Sequence, residues 1–403
     1  MNGRKRVWAD VDLDAISHNL GVIRSRIREG GKIMLVSKAD AYGHGVIPIA
    51  RHVLARDEVA AFGVGDSEEA LELRQAGIDA PILILGAIVE DEDELVVAND
   101  IAVCAHSSSR IRQLEREARR QGRKCRVHIM VDTGMGRLGP FADKALELAQ
   151  VVVDSPWLTL EGVATHFSSS QNVDDPFTHL QAKRFDEFRE RLIAAGVPVP
   201  VFHAANSGAV LFEDGSTHDL VRVGAAAYGM IDRKKPGAES LRPALALRTQ
   251  IIYLKDVPPG TPISYNRLYT TPKKTRIATL PIGYNDGLRY ALSNRWSVLV
   301  NGEKAPLVGA ISMDYCMVDV GHLPNVRAGD VCTLIGRDGD EELTVTDWAD
   351  ALKTVPYEVT TGLGRRVKRI HRPERCRPSL AVRSTRSTPP LPHSGQERAA
   401  EVS

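Results

Sequence analysis

The chain reads as an α/β protein, an N-terminal (β/α)8 TIM-type barrel followed by a mainly-β C-terminal domain. Three observations predict this. Eight short apolar runs alternate with amphipathic segments as far as Val223, the rhythm of repeated β-α units. Beyond the charged run Asp232-Arg233-Lys234-Lys235-Pro236-Gly237 the apolar period falls to two. Polar and charged residues sit directly after several of the eight runs, where a barrel carries its site. The expected organisation is a barrel over 13–240, a β domain over 241–371 that residues 1–12 join, and a disordered tail over 372–403.

Taken in order, residues 8–12 alternate like a strand, and residues 14–28 place Ile16, Leu20, Ile23 and Ile27 on one helical face. The strand-like runs are 33–37, 59–64, 82–85, 101–104, 127–131, 160–165, 201–204 and 220–223. Of the helices between them, 66–76 is the clearest. Asp66 and Glu69 read as a capping box, Ala70, Leu71 and Leu73 as the buried side, and Gly77 as the stop. Eight such units in a domain of this size favour a closed barrel over an open sheet. In the second domain Leu245, Leu247, Thr249, Ile251 and Tyr253 alternate, and Asn301-Gly302 signals a hairpin. The Pro-, Ser- and Arg-rich tail has too few apolar residues to order itself.

The 403 residues suffice for two cores, and a net charge of +1 gives no polyanion-binding footprint, so nucleic acid is not an expected partner. Five dispersed cysteines (Cys104, Cys125, Cys316, Cys332, Cys376) include no C-x-x-C pair, which argues against a disulfide framework or a zinc site. Met1 to Trp8 is basic but leads into Asp10, Asp12 and Asp14, and no run is long enough to span a bilayer. The expectation is a cytoplasmic protein with no metal and no membrane partner.

Lys38 follows the first strand in Val36-Ser37-Lys38-Ala39-Asp40-Ala41-Tyr42-Gly43-His44-Gly45 and precedes a turn that opens a helix. A lysine buried there must be paired or made neutral, and an imine with an aldehyde is one way to do it. The nearby glycines let backbone approach a phosphate closely. Arg137 follows the fifth run, His166 the sixth, Ser207 the seventh, and Arg222 closes the eighth. Taken singly, His166 reads as a core histidine, Arg222 as a surface ion pair and Ser207 as a helix cap. Together they mark one rim. Loops after strands seven and eight often bind phosphate, which brings in Ser207, Gly224 and Ala225.

The lysine run resembles the cofactor-lysine signature of the alanine racemases, and further matches extend from about Arg6 to Arg369. They include Val221-Arg222-Val223-Gly224, Ile263-Ser264-Tyr265-Asn266-Arg267, Ile311-Ser312-Met313-Asp314-Tyr315 and Val355-Pro356-Tyr357-Glu358. The resemblance implies pyridoxal 5′-phosphate as cofactor, with its phosphate held by residues matching Tyr42, Ser207, Gly224, Ala225 and Tyr357 and its ring nitrogen facing Arg222. It implies a two-base interconversion of L- and D-alanine for peptidoglycan, Lys38 acting on the D-isomer and Tyr265 on the L-isomer, with His166 beside them. Arg137, Met313 and Asp314 would bind the substrate. Tyr265 and Met313 would come from the partner subunit of a homodimer. One position departs from the pattern: Met130 stands where the family commonly has a lysine, often carbamylated, that orients the arginine matching Arg137. A bound anion or a nearby carboxylate would then have to hold Arg137. The alternatives are a racemase for another small amino acid such as serine, a barrel-type decarboxylase or dehydratase, and a single-barrel cofactor carrier.

Overall fold

A computed structural model describes residues 6–213 and 217–373. After a first strand, β1 (Val7–Asp12), come eight more: β2 (Lys32–Val36), β3 (Ala61–Val64), β4 (Ile82–Ile84), β5 (Ala102–Ala105), β6 (Cys125–Met130), β7 (Leu158–Ala164), β8 (Val201–His203) and β9 (Leu220–Val223). These eight form one parallel sheet in the order β8-β7-β6-β5-β4-β3-β2-β9, so the last strand lies beside the first. The β8/β9 seam is bridged by Asp219 N–H to Phe202 O (3.0 Å) and Arg222 N–H to Ala205 O (2.9 Å). The barrel expected from the eight apolar runs is therefore present and nearly closed. Its strands are buried almost throughout, because helices cover the outside and side chains fill the inside.

The second sheet is built from β10 (Leu245–Gln250), β11 (Tyr253–Val257), β14 (Thr275–Leu280), β15 (Ser297–Val300), β16 (Glu303–Val308), β17 (Cys316–Asp319), β18 (Val331–Asp338), β19 (Glu341–Leu343) and β20 (Lys368–Arg372), with β1 between β10 and β20. A separate ribbon pairs β12 (Pro262–Ile263) with β13 (Tyr269–Thr270). Asn301 and Gly302, both at positive φ, make the two-residue turn between β15 and β16, as their dipeptide predicts.

Four local expectations need correction. The first helix runs over Leu13–Arg24 and stops before Ile27, because Arg26 N–H turns back to Ile23 O (3.0 Å) while Ser25 Oγ–H takes Val22 O (2.8 Å), the acceptor that the next helical bond would need. The alternation from Leu245 breaks after Ile251: Tyr253 opens β11 with its side chain exposed. The capping box of the helix Ser67–Gln75 is half made. Asp66 accepts from Glu69 N–H (2.9 Å), but the Glu69 carboxylate accepts instead from Gly65 N–H (2.7 Å) and Ala39 N–H (2.6 Å), and Leu71 is only half-buried. The fourth concerns the lysine loop. Ala39, Asp40, Ala41 and Tyr42 all have φ near +53 to +55, a complete left-handed turn, and the right-handed helix begins only at Val46. The tail expected from 372 lies outside the described residues from 374 on, and Arg372 belongs to β20.

A left-handed turn of L-residues costs about 1–2 kcal/mol per residue and persists only where its surroundings over-determine it. Here they do. Asp40 accepts from Val46 N–H (2.6 Å), capping the next helix, while Arg369 donates to Gly43 O (3.0 Å) and His371 bonds His44 O (2.7 Å), both from β20. Gly43 has φ +79, and a Cβ there would overlap the Thr360 carbonyl. Gly43→Ala should lower the unfolding free energy by more than about 2 kcal/mol, read from denaturant midpoints. Gly122→Ala, at a left-handed position facing open space, should cost only about 1 kcal/mol; equal losses would contradict the packing argument.

Candidate active site

The C-terminal ends of the barrel strands open into a cavity of ≈ 790 Å³. Small inward-facing residues leave room beneath it: Ala61, Ala102 and Ala164 line the barrel interior with Met34, Leu83 and Met130. The helix Pro356–Thr361 of the β domain forms the far wall through Tyr357. Lys38, Tyr42, Arg137, His166, Ser207, Arg222, Gly224, Ala225 and Tyr357 all line this one cavity.

Lys38 is not sealed in the core, as the strand-end position suggested, but opens into the cavity. The walls still withhold water from its amine, which lowers the pKa; Arg137 adds to that lowering and Glu69 opposes it. Glu69 thus both ties down the loop at Ala39 and biases the lysine, a role its place in a cap motif concealed.

The left-handed turn brings the Tyr42 ring against Tyr228 (centroids 5.3 Å apart) and edge-on to Tyr357 (6.0 Å). Burial, with Tyr357 nearby, pushes its hydroxyl up to about 12, so it stays a donor. The hydroxyl lies close enough to Gly224 that a Cβ there would stand 2.7 Å from it. Ser207 Oγ accepts from Gly224 N–H and Ala226 N–H (3.1 Å each), which leaves its own O–H free to donate. Gly224 N–H is therefore already used, and Ala225 N–H is the one without a protein acceptor among the described residues.

Arg222 is buried, and no carboxylate among the described residues touches it. Its Nη1 reaches His203 Nδ1 (2.8 Å) and His203 O (3.0 Å); its Nη2 reaches Thr165 O (2.7 Å), His166 Nδ1 (3.1 Å) and Ala204 O (3.1 Å). With both Nη atoms taken, Nε–H is the donor left for a group in the cavity. Burial lowers its pKa only to about 10, so it remains charged. His166 is driven down to about 3, first by burial and then by Arg222, Arg137 and Lys38. It is a neutral acceptor for Arg222 at the edge of the cavity, not the core histidine that its type alone suggested. His203 was not visible as a functional residue in the sequence; the signal was an inward-facing histidine in an otherwise apolar run.

Three expected residues lie outside the cavity. Tyr265 is 71% exposed at the tip of the β12/β13 ribbon, where Ser264, Asn266 and Arg267 all have positive φ. Ser264 Oγ–H to Ala310 O (2.6 Å) and Asn294 to Leu268 O (3.0 Å) fix that strained tip. Met313 is 53% exposed, and Asp314 is ion-paired with Arg366 (2.6 Å). Arg137 makes no hydrogen bond or ion pair among the described residues, so no protein carboxylate replaces the charge that Met130 lacks.

A two-domain barrel that gathers a lysine, a phosphate-sized cradle and a buried arginine at its strand ends defines an enzyme acting on a small substrate. Residues 11–232 match the family model for the alanine racemase N-terminal domain and residues 244–371 that for the C-terminal domain. The chain is 38% identical over 379 residues to an alanine racemase of Halothermothrix orenii, covering 92% of this chain and 99% of that one. Among solved structures it resembles an alanine racemase of Clostridium difficile (TM-score 0.86, 33% identity, 92% and 96% coverage) and one of Bacillus anthracis with bound L-Ala-P (0.84, 36%, 93% and 97%). The chain belongs to the alanine racemase family.

Because Arg137 lowers and Glu69 raises the pKa of Lys38, Arg137→Met should move it up and Glu69→Gln should move it down. The pH dependence of amine-selective labelling at Lys38 reads both shifts, and movement in the same direction would contradict the assignment.

Proposed function

We propose that this protein interconverts L- and D-alanine with pyridoxal 5′-phosphate, using Lys38 and Tyr265 as opposed bases in a homodimer. The observation that carries the reading is the set of free donors around one cavity. Ser207 O–H, Tyr42 O–H and Ala225 N–H face a cradle that a Cβ at Gly224 would fill, which suits a phosphate. Arg222 Nε–H suits a ring nitrogen, and Lys38 an aldehyde. Tyr357 closes the site beside Tyr42. When bound, this cofactor supplies an electron sink that acidifies the Cα–H of an amino acid.

The chain's own residues then decide the outcome. Lys38, with its amine biased toward the neutral form, takes or returns the α-proton on one face. A single base returns the proton to the side it left, so inversion needs a second base opposite. Tyr265 is that base, donated by the partner subunit with Met313 beside it. Tyr265, Tyr284, Tyr290, Met313 and Tyr315 are all exposed on the β domain, the kind of surface a second copy covers. Arg137, which has no hydrogen-bond or ion-pair partner among the described residues, anchors the substrate carboxylate through paired N–H donors, and a bound anion takes the place of the missing charge at Met130. Asp314, held by Arg366, sets the loop that carries Met313. Arg222 would hold the ring nitrogen of this cofactor as a donor that keeps its own proton, a setting that would favour return of the α-proton to Cα. The bulk of Tyr357 and Met313 fits alanine better than serine. The four described cysteines are buried and free, in keeping with a reducing cytoplasm, where D-alanine would serve peptidoglycan.

Purified protein with the cofactor should convert L-alanine to D-alanine, followed by chiral chromatography, and Lys38→Ala should lose at least about a thousandfold of this. Cofactor binding without D-alanine would favour a carrier, and faster turnover of serine would reassign the substrate. Tyr265→Phe should slow α-proton exchange in D2O far more from L-alanine than from D-alanine; equal losses would overturn the assignment of faces.

A further inference from the structure

Beneath Arg222 the barrel interior holds a line of polar side chains that the reaction does not require. His203 Nε2 lies 2.8 Å from His128 Nδ1, and His128 Nε2 lies 3.2 Å from Glu161 Oε2. Both histidines are buried, whereas Glu161 stands half-exposed, where Arg126 holds its other oxygen (3.0 Å) and bonds Asp100 (3.0 Å). Two backbone features make this line possible. The β6/β7 register shifts between Val127 and His128, pairing Leu160 with Val127 and Gly162 with His128, so Glu161 is an extra, bulged residue. Bulges re-aim side chains. At Gly162 a Cβ would overlap the His128 ring, so only glycine admits the two imidazoles side by side.

The hydrogen bonds fix one proton arrangement. A carboxylate can only accept, so His128 carries its proton on Nε2 and offers Nδ1 as acceptor. His203 then carries its proton on Nε2 and offers Nδ1 to Arg222. Burial and the neighbouring Arg222 both keep His203 neutral. We propose that Glu161 is a positioning residue for Arg222, acting through His128 and His203 to hold both rings in the tautomer that presents an acceptor to the guanidinium. No proton leaves the line; its ends are a permanent donor and a permanent acceptor. The consequence for catalysis rests on the reading that Arg222 faces the cofactor ring.

Selective ¹⁵N labelling of histidine in the full-length holoenzyme tests the proposal by NMR. Both His128 and His203 should show Nε2–H, and Nδ1–H on either ring would overturn it. Glu161→Gln keeps an acceptor and should preserve these tautomers and kcat. Glu161→Ala should scramble them and lower kcat about ten- to hundredfold, with KM little changed and the absorbance of the bound cofactor altered. Loss in the Gln variant equal to that in the Ala variant would overturn the proposal, as would unchanged kcat in both. Should the cofactor fail to bind at all, the functional reading fails while the ring tautomers of the apo-protein still decide the line's polarity.

Discussion

A guanidinium in the middle of the barrel, paired with no carboxylate among the described residues, is the constraint to which the rest of the site answers. Burying a charge is costly unless its hydrogen bonds are made. Arg222 makes all but one of them, each to a neutral atom: three carbonyls at the ends of the sixth and seventh barrel strands and two imidazole nitrogens. Burial first, and this charge after it, holds the two histidines beside it uncharged. The one donor left, Nε–H, is free for a group in the cavity. A carboxylate against Arg222 would have stabilised the charge more simply, but it would also have supplied a second acceptor to compete with any ligand for that donor.

A second constraint is the left-handed turn after Lys38. Its backbone is unfavourable, and it is maintained by contacts from far along the chain: β20 through Arg369 and His371, and the helix Pro356–Thr361 packed against Gly43. The two domains are coupled at the residue that matters most. The lysine is aimed by the β domain as much as by its own strand, and Tyr357 enters the cavity from the same side. A barrel alone would have the lysine without its orientation.

Much of this was legible in the residues. The eight strands announce themselves as apolar runs bounded by breakers, because a strand buried on both faces has little choice of side chain. The rim residues were legible because Lys38, His166 and Gly224 directly follow the ends of runs, Arg137 and Ser207 lie in the loops beyond them, and Arg222 closes the last. Three things were hidden. Left-handed backbone at Ala39, Asp40, Ala41 and Tyr42 leaves no trace, since none of these is glycine and the β20 residues that clasp the turn lie more than three hundred residues away. Glu69 looked like a cap, and its second acceptor role toward Ala39 N–H depends on how two loops meet. The line from His203 to Glu161 rests on a bulge, and a one-residue slip in pairing is set by the sheet rather than by composition.

The clasp that β20 places on the lysine turn also sets an order of events during synthesis. β20 follows all eight barrel strands in the chain, so Arg369 and His371 can hold the lysine turn only after those strands have been made and β20 has docked beside β1.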